Sequence, residues 1–305
     1  MSVTSIFIAP DQRLRSIWRF VLSIAVVIGA SGPGFVFGPA GGPRHAWAVV
    51  LMLTLILSLL VVGFAVLLHF FDKVHSGLLR AMGLPMDGSV LRDTGIGVVF
   101  GLAMVSACVG VIAVIGKVRF ETSTAHAGTI AIVSCMGLVA AMIEEMVFRG
   151  YPFQRLVEAI GAPAAVILLA GLFGAGHLRN PHATVWGALN TAGFGVFTAL
   201  AYLRTRSLWL PWGMHFSWNL GLGLGYGLTV SGLSQFSVVV HGTLAGPGWL
   251  TGGDYGIEAS ATATLALLLA SVILSLLVKQ RSAPEIIAGG PRITPGFEEG
   301  PLSIK

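Results

Sequence analysis

The stretch Gly137-Leu-Val-Ala-Ala-Met-Ile-Glu-Glu-Met-Val-Phe-Arg149 places two adjacent carboxylates inside an otherwise apolar run. A long apolar run of this kind predicts a membrane-spanning helix. An acidic side chain at the bilayer centre costs roughly 3 kcal/mol on insertion scales, so such groups face a protein interior or a water-filled cavity. Glu144 and Glu145 are therefore the first candidates for a functional site.

The composition predicts an all-α integral membrane protein. Of the 305 residues, 55% are hydrophobic and 10% are charged, and the mean hydropathy is +0.85. Soluble domains carry roughly 25% charged residues. The long apolar runs suit helices better than the short alternating strands of a barrel. Most Lys and Arg residues lie at the ends of these runs, so the net charge of +5 needs no nucleic acid to explain it. The predicted partner is the lipid bilayer, and no nucleic acid is expected.

We predict a polytopic protein of about eight transmembrane helices that enclose a polar intramembrane cavity. The predicted spans are 16–38, 47–71, 93–116, 128–157, 163–178, 183–203, 208–229 and 259–278. If both termini are cytosolic, most of the 18 Lys and Arg residues fall on the inner side. The charge pattern therefore predicts a multi-pass protein of the plasma (inner) membrane with both termini in the cytosol.

The chain is expected to form one helical domain over residues 1–282, with its motifs in 128–222. The segment 230–258 is rich in glycine, lacks Lys and Arg, and is predicted to lie on the outer side. Residues 283–305 are rich in Pro, Gly and charge, which predicts a disordered cytosolic tail.

Helical spacing assigns the two glutamates to different faces. Glu145 and Arg149 are four residues apart and can form a charge-assisted pair. Glu144 points about 100° away from its neighbour, toward the interior of the bundle. Arg149 is expected to be structural and to serve Glu145.

Two later spans carry polar residues at the same spacing. Phe173 and His177 share one helix face, and His215 and Asn219 share another. Counting 1.5 Å per residue from the predicted span ends brings the histidines, the asparagine and Glu144 to the inner or middle part of the bilayer. These residues are therefore expected to meet in one cavity, with Phe173 serving as a packing residue.

Such a cavity favours peptide hydrolysis by a glutamate-activated water. Glu144 would act as the general base, and Glu145 would remain ionised and hold the helix geometry. His177 would help to orient the water, while His215 and Asn219 could polarise the scissile carbonyl and stabilise the oxyanion. No Ser-His-Asp set can be assembled, because the aspartates fall in loops or at span ends.

A zinc-dependent version is also compatible with these residues. Glu144, His177 and His215 would then make a two-histidine, one-carboxylate site with a bound water. No His-Glu-x-x-His helix occurs, so the ligands would come from three separate helices. The residues alone leave the zinc-dependent and metal-free mechanisms both open.

Together, the three motifs resemble the CPBP family of intramembrane proteases, also called the type II CAAX prenyl endopeptidase or Abi group, in its bacterial members. The motifs are Glu-Glu-x-x-x-Arg at 144–149, Phe-x-x-x-His at 173–177 and His-x-x-x-Asn at 215–219. The residues around them also match, with Phe-Arg-Gly-Tyr at 148–151 and Ser-Leu-Trp-Leu-Pro-Trp-Gly-Met-His at 207–215. The resemblance is tight over about 128–222.

This resemblance implies an eight-helix fold with a cavity open to the cytosol and an enzyme that cleaves peptide bonds in or near the membrane. It implies a membrane-embedded or lipid-modified peptide or protein as substrate, a first glutamate that activates water, and two histidines and an asparagine around it. The family is commonly labelled metalloprotease, although a metal-free glutamate mechanism has also been proposed for it.

Two other functions are weighed against the protease. A proton-coupled transporter could use Glu144, His177 and His215 as a proton relay, but inverted repeats or paired broken helices would be expected and the sequence has neither. A non-catalytic membrane scaffold or bacteriocin-immunity-type protein would not need these residues. The intact motif set favours the protease over this scaffold.

Overall fold

The computed structural model describes residues 4–36 and 46–281, which are mostly helical with little strand. We number the helices of ten or more residues α1 to α9. They are α1 Ser16–Val36, α2 Ala46–Phe70, α3 Ser89–Ile115, α4 Ala127–Arg149, α5 Tyr151–Ile160, α6 Ala162–His177, α7 Val185–Thr205, α8 Trp209–Leu220 and α9 Ala261–Leu277. Shorter helical turns are Thr4–Phe7, Leu78–Ala81, Gly221–Gly225, Gly248–Thr251, Gly253–Tyr255 and Ile257–Ala259.

Three stretches within the described residues are long and apolar enough to cross a membrane. They are Trp47–Phe70, Ser89–Ile115 and Ala127–Ile160, the last of which includes both α4 and α5. Shorter apolar helices are Ser16–Gly32, Ala162–His177 and Ala261–Leu277. The prediction of a helical membrane protein is therefore confirmed. The predicted tail of residues 283–305, and residues 37 and 38 of the first predicted span, lie outside the described residues.

The fourth predicted span is divided at Gly150. This residue ends α4 and precedes α5, with φ −80° and ψ −141°. Pro152 lies in the first turn of α5, where its missing N–H would have no partner in any case. The break thus lies two residues before Pro152, the residue at which proline geometry predicts a bend in this span.

The seventh predicted span, 208–229, is shorter than expected. Helix α8 ends at Leu220, and Gly221–Gly225 forms a π-helical turn. Glycine-rich sequence lowers helix propensity, so the regular helix ends where this run of alternating glycines begins. The chain then continues into the segment 226–260 beside the candidate site.

Two strands that lie far apart in the chain form an antiparallel pair. Strand β1, Lys117–Thr122, pairs with β2, Val240–Ala245, in a register that runs from Lys117 opposite Ala245 to Thr122 opposite Val240. The prediction of an all-α chain is wrong for these two segments. The alternating polar and apolar residues of Lys117–Thr122 are typical of a strand, but they do not indicate a partner more than 100 residues away.

Helix α4 connects two apolar cores. Val133, near its start, belongs to the core formed with α3, α7, α8 and α9. Met142 and Met146, near its end, belong to the core formed with α1, α2, α5 and α6. The two motif glutamates lie between Met142 and Met146, on the part of α4 that packs into the second core.

A buried ionic cluster fixes α5 against α1 and the end of α2. Asp72 is 1% exposed and accepts hydrogen bonds from Arg19, from Arg155 and, at 2.6 Å, from the Tyr151 hydroxyl. Glu158 adds an ion pair with Arg155 at 2.9 Å. Three chain segments are thus tied together at one carboxylate.

Candidate active site

The candidate site is a cavity of about 390 Å³ bounded by α4, α6, α7, α8, α9 and the segment 230–258. Five of the residues predicted from the sequence line it, namely Glu144, Phe173, His177, His215 and Asn219. The other two, Glu145 and Arg149, are buried behind this wall. The structure thus brings side chains from three separate motifs to one cavity.

Glu144 presents a carboxylate to the cavity. Its side chain is 37% exposed, and its Oε2 atom is buried without a hydrogen-bond partner among the described residues. The Nε2 atom of His215 lies 3.6 Å from Oε2, beyond direct hydrogen-bond distance. Because the Glu144 side chain is partly exposed and lines the cavity, its carboxylate can be reached by a water molecule there.

Glu145 is fully buried and holds two neighbours. Its Oε1 atom lies 2.7 Å from Nδ1 of His215 and 3.3 Å from Nη1 of Arg149. An ionised carboxylate only accepts hydrogen bonds, so Nδ1 of His215 carries a hydrogen and donates it. The ion pair that the spacing predicted between Glu145 and Arg149 is present, and the Nε2 atom of His215 is left facing Glu144.

His177 is oriented by its own helix. Its Nδ1 atom lies 2.8 Å from the main-chain oxygen of Phe173. Because a carbonyl oxygen only accepts, Nδ1 is the donor and Nε2 remains available to the cavity. The second nitrogen of each histidine is thus free for chemistry.

The ring of Phe173 is a shared packing partner. Its centroid lies 4.7 Å from that of His177 and 6.1 Å from that of His215, both in edge-to-face contact. The Cζ atom of Arg149 lies 4.7 Å from the same centroid, within cation–π range. Phe173 therefore separates the two imidazoles and covers the arginine.

Asn219 follows His215 by one helical turn and lines the same cavity. Its side-chain amide makes no hydrogen bond to another described residue, so both donor hydrogens are available. An amide in this place can donate to an oxygen held near the imidazoles.

Glu258 is a cavity residue that the sequence analysis did not identify. Its Oε1 atom accepts hydrogen bonds from Nε1 of Trp218 at 3.2 Å and from the Ser231 hydroxyl at 3.0 Å, and its Oε2 atom accepts from the Ser231 main-chain N–H. Burial raises the pKa of this carboxyl above its usual range, while the hydrogen bonds and the nearby His177 oppose the rise. Its partners are 27 and 40 residues away, so no local spacing could have indicated the residue.

The described side chains are not grouped as a metal site. Residues 4–36 and 46–281 contain no group of three or more His, Cys, Asp or Glu side chains placed to hold an ion. The three ligands considered from the sequence, Glu144, His177 and His215, line one cavity without forming such a group. A zinc site on these residues stays a prediction.

The motif region matches a known protease family. Residues 126–221 match the family described as Type II CAAX prenyl endopeptidase Rce1-like. These residues form an Rce1-like segment. The resemblance predicted from the three motifs is confirmed. No curated protein and no solved structure matches the chain. The Rce1-like segment runs from the start of α4 to the end of α8 and contains every residue predicted for the site, whereas Glu258 lies outside it.

Proposed function

We propose that the protein is an intramembrane endopeptidase that hydrolyses a peptide bond of a membrane-embedded or lipid-modified substrate by a water that Glu144 activates. The observation that carries the proposal is the partly exposed Glu144 carboxylate, which lines a cavity beside a histidine held by a second carboxylate. The Rce1-like segment supports the same activity.

In the first step, Glu144 accepts a proton from a water as the water oxygen attacks the carbonyl carbon of the scissile bond. A new carbon–oxygen bond forms, and the carbonyl oxygen becomes an oxyanion. The Nε2 atom of His177 helps to hold the water, because its other nitrogen is already bonded to the helix. Because the cavity holds the water and the carboxylate together, the reaction avoids the entropic cost of bringing them together from solution.

The oxyanion is stabilised from α8. Glu145 holds Nδ1 of His215, so a protonated His215 directs its second N–H toward the reaction centre. The Asn219 amide supplies a further donor one turn away. Removing one oxyanion donor typically costs about 10²–10³-fold in kcat, which is the contribution expected of each residue.

In the second step, Glu144 returns its proton to the nitrogen of the leaving amine. The carbon–nitrogen bond breaks as the oxyanion collapses, giving a new carboxyl group and a new amine. Glu144 is then deprotonated again, so the cycle consumes one water and needs no further reactant.

The proposed architecture around this chemistry has about eight transmembrane helices, with both termini on the cytosolic side of the plasma membrane. The agreement between the apolar runs and the described helices supports it. In this arrangement the cavity lies in the inner to middle part of the bilayer, where a membrane-anchored peptide can reach it.

The test is cleavage by the purified full chain in proteoliposomes. The probes are a farnesylated CAAX peptide and an unmodified transmembrane peptide, with products identified by mass spectrometry. We expect cleavage by the native protein and a loss of at least about 10²-fold in Glu144→Gln, because the amide cannot accept the water proton. Glu121→Gln, an exposed carboxylate on β1, is the matched control and should retain activity. Native rates in Glu144→Gln would contradict the proposal.

A second arm addresses the metal. We expect the purified protein to keep its rate within about twofold after chelation and dialysis. Loss of activity on chelation, restored by zinc and accompanied by one bound zinc per chain, would overturn the metal-free mechanism and favour a site on Glu144, His177 and His215.

A further inference from the structure

The role of Glu258 is the feature that the proposed mechanism leaves unexplained. It lies outside the Rce1-like segment, in a short helical turn before α9, yet it lines the same cavity as Glu144 and both histidines. Three hydrogen-bond donors converge on its carboxylate. A partly buried carboxylate with this many partners is held in one place.

One set of contacts reaches the helix that carries His215. The Glu258 carboxylate accepts the indole N–H of Trp218 at 3.2 Å. Trp218 is 5% exposed, lies directly before Asn219 and follows His215 by three residues on α8. A shift of Glu258 would therefore be transmitted to the residues assigned to the oxyanion.

The other set reaches the end of the helix that carries His177. Ser231 donates both its main-chain N–H and its hydroxyl to Glu258. The main-chain oxygen of Ser231 in turn accepts a hydrogen bond from Nδ2 of Asn180 at 3.0 Å. Asn180 follows His177 by three residues, so the chain of hydrogen bonds crosses the cavity from α8 to the end of α6.

The main chain around Glu258 is fixed as well. Nδ2 of Asn190, on α7, lies 2.9 Å from the main-chain oxygens of both Glu258 and Ser260. The asparagine oxygen accepts the Thr264 hydroxyl of α9 at 2.7 Å. The turn that carries Glu258 is thus anchored to two helices. Its carboxylate is therefore held in a fixed position relative to the segments that it contacts.

We propose that Glu258 is a further positioning residue of the candidate active site, which sets α8 against the end of α6 through Trp218 and Ser231 and thereby fixes the separation of His215 and His177. This inference rests on the proposed peptidase activity. A carboxylate suits the task because it offers two oxygens and no donor, and it forms stronger hydrogen bonds than a neutral acceptor. Glutamine has the same shape, but its NH₂ group would face at least one of the three donors.

The test compares Glu258→Gln with Asp254→Asn, which removes an exposed carboxylate from the same segment. With the peptide that the native protein cleaves, we expect kcat of Glu258→Gln to fall about 10- to 100-fold with KM within about twofold. Asp254→Asn should keep both values. A positioning role predicts a lower kcat at nearly constant KM. If Glu258 only bound the substrate, its replacement would raise KM and leave kcat unchanged, and that result would overturn the inference.

Hydrogen–deuterium exchange gives a readout that does not depend on activity. In Glu258→Gln we expect faster exchange in residues 177–182, 209–220 and 229–236, and unchanged exchange in α2. Exchange and kcat that both match the native protein would overturn the inference. If the native protein cleaves no peptide, the proposed function fails. Faster exchange in these three segments would still support the chain of hydrogen bonds that runs through Glu258.

A second variant covers the case in which Glu258→Gln does not fold. Trp218→Phe keeps an aromatic ring but removes the indole N–H that Glu258 accepts. We expect the same fall in kcat at constant KM, smaller in size because the Ser231 contacts remain. Trp249→Phe, at an exposed tryptophan, is the control. Equal kcat in Trp218→Phe and Trp249→Phe would count against a role for the hydrogen bond between Trp218 and Glu258.

Discussion

At the scale of single residues, the two adjacent glutamates have different environments because neighbours on a helix differ by about 100° in direction. Glu145 is fully buried with Arg149 and His215, while the side chain of Glu144 is partly exposed and lines the cavity. The sequence predicted the Glu145–Arg149 pair and the separate direction of Glu144. It did not predict the bond between Glu145 and His215, because that bond depends on how α4 and α8 are rotated against each other.

The Glu145–His215 bond predicts the effect of Glu145→Gln. The amide can present its NH₂ to Nδ1 of His215 and so favour the wrong tautomer, and disrupting such a carboxylate–histidine pair in a serine protease costs about 10⁴-fold in kcat. We expect a fall of about 10²–10⁴-fold in peptide cleavage. The change also leaves the buried Arg149 without its charge partner, so the unfolding temperature should fall too.

The matched control is Glu144→Gln, which loses cleavage but leaves Glu145 and Arg149 paired. Its unfolding temperature, measured by the intrinsic fluorescence of the protein in detergent, should remain within a few degrees of the native value. Native activity in Glu145→Gln would show that the carboxylate does not set the state of His215.

At the scale of helices, the close crossing of α3 and α8 determines where His215 lies. A methyl group added at Gly97 would overlap the main chain of α8 at Leu210, and one added at Gly101 would overlap the side chain of Ser217. The two glycines are four residues apart, which is the small-residue spacing typical of tightly packed membrane helices. This spacing was readable in the sequence as a sign of a close helix pair, but it does not name the partner helix.

Gly101→Leu should therefore displace α8 and reduce cleavage. Overpacking of a tight contact typically costs about 1–3 kcal/mol, so we expect lower thermal stability together with lower kcat. Gly110→Leu is the control on the same helix, because no atom of another segment lies within 4 Å of its added carbon. Equal activity and stability in the two variants would show that α8 can shift without effect on the site.

Other features of the elements were partly predictable. The long apolar runs indicated the helices to within a few residues at most ends, because burial in lipid requires such runs. The exact position of the break at Gly150, the end of α8 at Leu220 and the pairing of β1 with β2 were missed. The two helix ends depend on local glycine geometry. The strand pair depends on contact between segments more than 100 residues apart, which the local sequence pattern does not specify.

At the scale of the whole molecule, two of the places where polar side chains are buried have different roles. One is the cavity beside α4, α6 and α8. The other is the cluster of Asp72, Arg19, Arg155, Tyr151 and Glu158, and none of these residues lines the cavity. The sequence placed these charges at span ends without indicating that α1, α2 and α5 would bring them together. We assign this second cluster to stability because its charges are paired with one another.

Asp72→Ala tests whether this second cluster contributes to stability and not to catalysis. The substitution leaves Arg19, Arg155 and the Tyr151 hydroxyl without their common acceptor, and removing one partner of a buried ion pair typically costs about 3–5 kcal/mol. We expect the unfolding midpoint in a denaturing-detergent titration to fall accordingly, while kcat per folded molecule changes less than about threefold. Asp87→Ala, at an exposed carboxylate paired with Arg80, should leave the midpoint nearly unchanged, since exposed pairs contribute little. A loss of kcat in Asp72→Ala without a loss of stability would mean that the cluster acts on the cavity through α5 and α4.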